Sequence, residues 1–363
     1  MKNNNFLKIT SLGIACILSA CGILGCGSVG DNPTQSLGMK LVEANDDAKM
    51  NSKEAIVERI IASLDKGSLN VTVGSTDQDL VFEAIEEVYD RPEYFWLGFN
   101  CNIVSINGIN TLTFEKKYSG DIDKMKSEVE EAAGKIISSI PEDADTFDKI
   151  KYVHDYLCDS ITYTDKNDDT DNDLYAALVV KECVCEGYAD AFNYLMNGLG
   201  IESYFCSGDA QSSEGKAPHA WNRVVLDGES YYFDVTWDDD DFNGQTLYTY
   251  FGVDSSTIMS NHFFDENHPV VYTSATDYNY YYHNGYVIEE YSDDAFAEVM
   301  SKQGDVIDVK CTNDISYWHL TQNISSGNYI VKIMDKAGKS WDYNTQFSSF
   351  RDEDARTIRL FIK

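Results

Sequence analysis

The chain has 363 residues, of which 43% are hydrophobic, enough for one large core or two to three smaller ones. Its 61 acidic residues outnumber its 28 basic residues, and the formal net charge is −33 at pH 7. Such a charge repels phosphates and anionic membrane faces, so it excludes nucleic acid as a partner and indicates a solvated acidic exterior.

The first 20 residues predict a targeting segment. Two lysines precede the apolar stretch Ile9–Ala20, which is too short for a comfortable transmembrane helix. The run LSAC at 18–21 resembles a bacterial lipobox, in which the cysteine becomes lipid-modified and N-terminal. We therefore expect a lipid on Cys21 that anchors the protein at the outer face of the bacterial cytoplasmic membrane. A second match ending at Cys26, an ordinary cleaved signal peptide with a secreted product, and an uncleaved anchor stay open as alternatives.

The next two segments predict a tether and a small module. Residues 21–51 are rich in small polar residues and predict a flexible linker. Residues 52–140 predict an N-terminal α+β module, because helical and alternating patterns follow one another there. The patterns predict helices at 52–64, 77–88 and 121–140, and strands at 94–106 and 111–118.

Residues 141–270 predict the central domain, and residues 271–363 predict a C-terminal α+β module. In the central domain we expect helical patterns from Thr146 and at 187–199, and strands at 201–207, 220–226 and 230–235. In the last module we expect a helix at 292–300 and strands at 306–311, 328–334 and 357–362. The aspartate-rich runs at 165–173 and 238–241 predict solvated loops, since the first lacks the central glycine and closing glutamate of an EF-hand.

Three dense local patterns carry a cysteine, a histidine and an aspartate in that order. Cys185 lies in ECVCEGYA at 182–189, His219 opens HAWN, and Asp234 lies in YYFDVTWD at 231–238. A thiol nucleophile needs a base, and the base needs a group that orients it. Cys185 precedes a predicted helix, whose positive end favours the thiolate. His219 begins one predicted strand and Asp234 lies on the next, so antiparallel pairing would bring them together.

Other residues near these patterns are candidates for supporting roles. Backbone N–H groups close to Cys185 could hold a developing oxyanion. The hydroxyl of Tyr163 is a second candidate for that site, with a core role as the alternative. We expect Trp221 to pack and close the cleft, and Asn222 to support the His219 loop or to serve the structure alone.

These patterns together resemble the transglutaminase-like superfamily. The resemblance spans residues 146–240 and includes LYAAL at 174–178, LGI at 199–201 and LDG at 226–228. It implies an α+β fold with a papain-like core, in which a helix-borne cysteine packs on an antiparallel sheet that carries the histidine and aspartate, flanked here by small α+β modules. It also implies that Cys185 is the nucleophile, His219 the base and Asp234 the third member. Members with a known role are cross-linking transamidases, peptidases or amidases, and some have lost activity.

The chain departs from the family pattern at two positions. Cys183 stands where the family usually has glycine, and Val235 stands where it usually has proline. The change at Val235 only relaxes the backbone after Asp234. Cys183 could narrow the site, or it could form a strained disulfide with Cys185 that blocks the nucleophile.

The sequence predicts a membrane-tethered, extracytoplasmic cysteine acyl hydrolase or transferase that acts on peptide or amide bonds, with hydrolysis favoured over cross-linking. Its substrates would be surface proteins or cell-wall peptide stems. No cofactor and no metal site are predicted, since no paired CxxC pattern occurs. The alternative is a catalytically silent lipoprotein that uses the same fold as a binding scaffold. The tyrosine-rich stretch Tyr278–Tyr286 would then be a recognition surface, or else a packing face of the last module.

Overall fold

The computed structural model of the protein describes residues 52–74, 77–106, 109–164, 170–213, 215–239, 246–342 and 344–363. The predicted targeting segment and tether, with Cys21 and Cys26, lie outside these residues. The chain divides after Asp123 into two compact units. The predicted boundaries at 140 and 270 stay predictions. Within the described ranges, none of the helices combines the length and apolarity needed to cross a bilayer.

The first unit is an α+β module whose helices begin directly after Ser52 and Asp77, where the helical patterns of the sequence start. The side chains of Ser52 and Asp77 accept hydrogen bonds from the first backbone N–H groups of the two helices, which no intrahelical carbonyl satisfies. Strand β1 has only four residues and was not predicted, and the antiparallel sheet has the order β1-β3-β2. The elements are α1 (Lys53–Leu64), β1 (Asn70–Val73), α2 (Gln78–Tyr89), β2 (Leu97–Ile106) and β3 (Ile109–Lys116).

The second unit begins with helices and continues into an antiparallel sheet of order β8-β7-β6-β9. Its first helix starts two residues before the division of the chain. Helix α5 packs on β6 and β7 through a buried apolar face, which confirms the α+β class. The elements are α3 (Ile122–Ser138), α4 (Thr146–Ser160), β4 (Thr162–Tyr163), a π-helical turn (Ala176–Val180), β5 (Glu182–Cys183), α5 (Cys185–Gly198), β6 (Ser203–Ser212), β7 (Gly215–Leu226), β8 (Glu229–Phe233), α6 (Val235–Asp238), α7 (Ser255–Ile258) and β9 (His262–Phe264).

Strands β6 and β7 are longer than predicted and form one hairpin. The strand that carries His219 begins at Gly215, so His219 is its fifth residue rather than its start. Pro218 and Gly215 concealed this extension, because proline is unfavourable inside a sheet. Here the neighbouring strand β8 pairs only with residues 222–226 of β7, so the missing N–H of Pro218 breaks no bond on that side.

The C-terminal part of the second unit forms a further sheet of order β10-β11-β13-β12. The predicted strand at 328–334 is wrong, because these residues lie in a helix. Its β-branched residues favour a strand, but Ile330, Ile333 and Met334 have helical spacing and are buried in the core of this part. The elements are α8 (Tyr280–Asn284), β10 (Val287–Ile288), α9 (Asp293–Ser301), β11 (Val306–Cys311), α10 (Asp314–Ile324), α11 (Gly327–Lys336), β12 (Phe347–Asp352) and β13 (Thr357–Ile362).

Two segments that could have been exposed contain buried residues. In the tyrosine-rich stretch, Tyr280 and Tyr281 are buried, and the Tyr280 ring stacks on Tyr248 at 3.9 Å between centroids. These two tyrosines therefore pack inside the unit.

In the aspartate-rich runs, Asp173 and Asp238 are buried, so the prediction of solvated loops is wrong for them. Both carboxylates accept backbone N–H groups, which explains why they lie inside.

Candidate active site

Cys185 is the first residue of α5, so the helix begins two residues before its predicted start. The segment before the helix is fixed by the Val184 N–H, which donates to the Asp171 carbonyl at 2.8 Å. On the next residue of the helix, the Glu186 carboxylate accepts a hydrogen bond from Asn172 Nδ2 at 2.7 Å. The Cys185 thiol is half-buried and free, at the end of the helix where the dipole favours negative charge.

Cys183 packs directly against the first turn of this helix. An added Cβ at Gly187 would lie 2.6 Å from Cys183 Cβ and 2.7 Å from Cys183 Sγ. Cys183 thus fills the space that glycine leaves open at position 187. Both Cys183 and Cys185 are free thiols in this structure. Burial, followed by the neighbouring Cys185, raises the pKa of the Cys183 thiol far above its usual value, so Cys183 is a structural thiol rather than a nucleophile.

His219 and Asp234 meet at the end of the sheet. His219 Nε2 lies 2.7 Å from Asp234 Oδ2, and both residues are buried. Asp234 does not lie on the predicted strand but just beyond β8, where it caps α6. Its Oδ1 accepts the backbone N–H of Trp237 at 3.1 Å. The cap holds the carboxylate in a fixed orientation toward His219.

The electrostatics of the pair favour a charged imidazole. Burial lowers the pKa of His219, but the Asp234 charge, the hydrogen bond to Asp234 and the interaction with Cys185 outweigh it and raise this pKa to about 10. Burial likewise opposes ionisation of Asp234, but His219 and then His262 hold the pKa of Asp234 well below its usual range. The Cys185 thiol is thus close enough to the His219 ring to contribute to its raised pKa. Since Nε2 faces Asp234, Nδ1 is the ring nitrogen left for Cys185.

Two further side chains belong to this cluster and were not predicted as site residues. His262, on β9, places Nε2 3.0 Å from the same Asp234 Oδ2 that His219 contacts. The Trp237 ring lies beside His219, with 5.2 Å between ring centroids. Trp237 stood within the YYFDVTWD run, so its neighbourhood to Asp234 could have indicated it. His262 follows Asp234 by 28 residues without any spacing that links the two.

Three potential metal-ligand atoms converge in the described residues, one each from His219, Asp234 and His262, within 4.8 Å of one another. Two imidazoles and a carboxylate are donors that transition metals accept. However, each nitrogen lies at hydrogen-bond distance from one carboxylate oxygen. Hydrogen bonding to Asp234 accounts for the convergence.

The predicted supporting residues lie at three different places. Tyr163 is 54% exposed. It lies on β4 opposite Cys183 of the parallel strand β5, and Cys183 precedes the nucleophile by two residues. Trp221 is buried, and its ring centroid lies 6.1 Å from that of His219. Asn222 is buried on β7, and its Nδ2 donates to the Ala189 carbonyl of α5 at 3.0 Å. It thereby ties the helix of Cys185 to the strand of His219.

A cavity of about 580 Å³ lies elsewhere in the second unit. Its lining includes Asp155, Tyr248, Asp308 and Arg359, but none of Cys185, His219 and Asp234. Arg359 is already paired with Asp308 through Nε and Nη2, at 2.6 and 2.8 Å. The cavity is therefore separate from the three residues of the candidate active site.

The sequence comparison supports the resemblance seen in the motifs. Residues 132–235 match the profile of the transglutaminase-like superfamily, and this segment contains Cys185, His219 and Asp234. No curated protein matches the chain.

Three of the solved structures with related segments carry transglutaminase or protease names. One, described as a TGase, is 20% identical with a TM-score of 0.27, over 46% of this chain and 50% of its own. A provisionally named cysteine protease from Cytophaga hutchinsonii is 16% identical with a TM-score of 0.26, over 35% of this chain and 52% of its own. A provisionally named protease from Parabacteroides distasonis is 11% identical with a TM-score of 0.24, over 38% of this chain and 35% of its own. The chain thus spans about half or less of each of these structures.

Proposed function

We propose that the protein is a cysteine acyl hydrolase or transferase acting on peptide or amide bonds, because residues 132–235 match the transglutaminase-like superfamily. The observation that carries this proposal is the alignment of Cys185, His219 and Asp234. The thiol stands at a helix N-terminus, and the imidazole, whose pKa Asp234 and Cys185 raise against burial, is held by that buried carboxylate through Nε2, which leaves Nδ1 for the thiol. This arrangement suits a thiolate nucleophile with a general acid–base partner.

The reaction follows from the positions of these groups. The Cys185 thiolate attacks the carbonyl carbon of the bound amide, and the oxygen takes the negative charge. Backbone N–H groups at the start of α5, which no intrahelical carbonyl satisfies, are the proposed donors to that oxygen. His219 transfers its Nδ1 proton to the leaving nitrogen, the C–N bond breaks, and a thioester forms. His219 then takes a proton from the second nucleophile, which attacks the thioester and expels the Cys185 thiolate, so that the thiolate and the protonated imidazole are both restored.

We favour water over an amine as the second nucleophile. The Cys185 side chain is only half-buried, so water reaches the position of the thioester. Transamidation requires that an amine outcompete water at about 55 M, which in turn needs a site that binds the amine. Surface proteins and cell-wall peptides are the proposed substrates, because both present amide bonds outside the cell.

The proposal is tested by the alkylation rate of each cysteine at pH 6. The full-length chain would be treated with iodoacetamide, and labelling would be followed peptide by peptide with mass spectrometry. We expect Cys185 to react at least tenfold faster than Cys158 and Cys206, because only a stabilised thiolate is reactive at this pH. The His219→Ala variant should lose that advantage, since the thiolate loses its cationic partner.

The variant His319→Ala is the matched control, because His319 is an exposed histidine on α10 of the same unit. It should leave the labelling of Cys185 unchanged. If Cys185 in the wild-type protein reacts no faster than the other cysteines, the site holds no thiolate. The protein would then be the non-catalytic binding module that the sequence leaves as the alternative.

The proposed location is the outer face of the cytoplasmic membrane, through a lipid on Cys21. This residue lies outside the described residues, so the lipobox sequence alone supports it. Expression with a radiolabelled fatty acid should label the wild-type chain and not the Cys21→Ala variant. Equal labelling of both would contradict the assignment of Cys21.

A further inference from the structure

Asp234 receives two imidazoles on the same carboxylate oxygen. His219 Nε2 lies 2.7 Å and His262 Nε2 lies 3.0 Å from Asp234 Oδ2. The other oxygen, Oδ1, accepts the backbone N–H of Trp237. The cap on Oδ1 and the bond to His219 already orient the carboxylate. His262 therefore acts at the oxygen that His219 uses.

We propose that His262 is a positioning residue of the active site, which donates its Nε2 proton to Asp234 and thereby moderates the hold of Asp234 on the His219 imidazolium. This inference rests on the proposed catalytic role of Cys185 and His219. An ionised carboxylate only accepts hydrogen bonds, so His262 must donate from Nε2. Two donors share the negative charge of one oxygen, and each bond is weaker than a single bond would be.

The surroundings of His262 fix its ring in this orientation. His262 Nδ1 lies 2.7 Å from Asn261 Oδ1, and Asn261 Nδ2 donates to Tyr250 Oη at 2.7 Å and to Asp354 Oδ2 at 3.2 Å. The amide is thus anchored on its far side. The rings of Trp221 and Trp237 pack against the imidazole, with centroids 4.9 and 4.7 Å away. The His262 side chain is fully buried and enclosed by aromatic rings and polar partners.

The titratable groups that face His262 come from several elements. They are Asp234 before α6, His219 on β7 and Tyr250 between α6 and α7, and Asp354 acts through Asn261. Burial lowers the pKa of His262, and the opposing pull of Asp234 does not restore it. Both partners of the His262 ring, Asp234 Oδ2 and Asn261 Oδ1, are acceptor oxygens. The carboxylate is the stronger acceptor of the two, so it takes the hydrogen bond from Nε2.

The two hydrogen bonds on Asp234 Oδ2 help to satisfy two opposing requirements of the proposed reaction. His219 must be cationic to stabilise the Cys185 thiolate, yet it must release its proton to the leaving nitrogen. A buried aspartate with no other side-chain donor on Oδ2 would favour the first requirement and hinder the second. The hydrogen bond from His262 draws charge from Asp234 Oδ2 and makes the His219 proton easier to transfer.

The test is the titration of His219 in the full-length chain labelled with ¹⁵N-histidine, followed by NMR in variants of His262. The sequence has six histidines, so each ring can be assigned by substitution. In His262→Leu, which has no donor, we expect the titration midpoint of His219 to rise by about half a pH unit to one unit. In His262→Gln, whose amide can still donate to Asp234, the rise should be at most half as large. His319→Leu should cause no rise.

A midpoint of His219 that is the same in wild type and in folded His262→Leu would overturn the proposal. An equal rise in the Leu and Gln variants would also contradict it, because the donated hydrogen bond would then be irrelevant. If His262→Leu does not fold, the ¹⁵N shift of His262 Nε2 in wild type decides: a protonated nitrogen at pH 7 supports the proposal, and an unprotonated one overturns it.

Alkylation of Cys185 separates this inference from the proposed function. We expect fast labelling at pH 6 to persist in His262→Leu, since the imidazolium becomes more stable and not less. Slow labelling in the wild-type chain would instead reject the thiolate itself, whatever the titration of His219 shows.

Discussion

At the scale of single residues, Gly187 is constrained by the cysteine that replaces a glycine of the family pattern. A Cβ at position 187 would lie under 3.0 Å from two atoms of Cys183 and 3.2 Å from the Asp173 carbonyl. Such distances require the neighbours to move. The Cys183 side chain therefore requires glycine at position 187. Both residues lie close to the start of the helix that carries Cys185.

We predict that Gly187→Ala lowers the free energy of unfolding by about 1–3 kcal/mol, because overpacking outweighs the better helix propensity of alanine. The loss should be smaller when the same substitution is made in a Cys183→Gly background, where the obstructing side chain is gone. Denaturant unfolding of the two single variants and the double variant measures this coupling.

Gly134→Ala in α3 is the control, since a Cβ there would meet nothing within 4 Å. It should raise the free energy of unfolding by about 0.5–1 kcal/mol, the ordinary gain of alanine over glycine in a helix. Additive losses for Gly187→Ala and Cys183→Gly would show that the two positions do not interact.

At the scale of elements, a buried histidine connects α4 to α6. His154 Nδ1 lies 3.1 Å from Asp155 Oδ1, and His154 Nε2 lies 3.1 Å from Asp238 Oδ2. Both carboxylates accept, so both ring nitrogens donate and the imidazole is a cation. Burial lowers the pKa of His154, but the bonds to Asp155 and Asp238 outweigh it and raise this pKa to about 9. The tie lies one turn of α6 away from Asp234.

This raised pKa predicts a pH-dependent stability. The folded pKa of His154 exceeds the unfolded value of about 6.5, so the stabilisation is fully present below pH 6.5 and is lost as the pH rises toward 9. We expect His154 to account for a loss of about 2 kcal/mol in the free energy of unfolding between pH 6.5 and 9. The measurement is denaturant unfolding of wild type and His154→Gln at several pH values.

The difference between the two proteins isolates His154 from His219, whose raised pKa acts in the same direction. As the pH rises above 6.5, the free energy of unfolding of His154→Gln should fall less steeply than that of wild type. Parallel curves for the two proteins would show that His154 is not protonated in the folded state.

The elements also show how far sequence reasoning reaches. Cys185, His219 and Asp234 were predictable because each lies in a dense run of its own, and the structure brings them together. His262 was not predictable, because the three-residue strand β9 joins the sheet through pairing with β6, which no local pattern encodes.

The prediction of a strand at 328–334 failed because burial of one helical face overrode the local β-propensity of these residues. Asp238 was expected in solvent since its partners, His154 and Tyr250, are distant or unpatterned in sequence.

At the scale of the whole molecule, the net charge of −33 is the dominant long-range feature. A field of this sign raises the local concentration of cations and repels anions, including anionic polymers. Acidic residues also lie close to Cys183, two positions before the proposed nucleophile: Asp171, Asp173 and Asp190 all act electrostatically on its thiol. Substrates with cationic groups near the cleaved amide should therefore reach Cys185 faster than anionic ones.

We predict that a cationic methanethiosulfonate reagent modifies Cys185 about tenfold faster than an anionic reagent of equal size at 10 mM salt, after each rate is divided by that for free cysteine. The ratio should fall toward one at 500 mM salt, where charges beyond roughly 4 Å are screened. Peptide mass spectrometry gives both rates for the same residue, and a neutral reagent of similar size serves as the control for access. A ratio that stays high at 500 mM salt would point to a contact within the cleft, whereas a ratio of one at low salt would show that the charge of the chain does not act at Cys185.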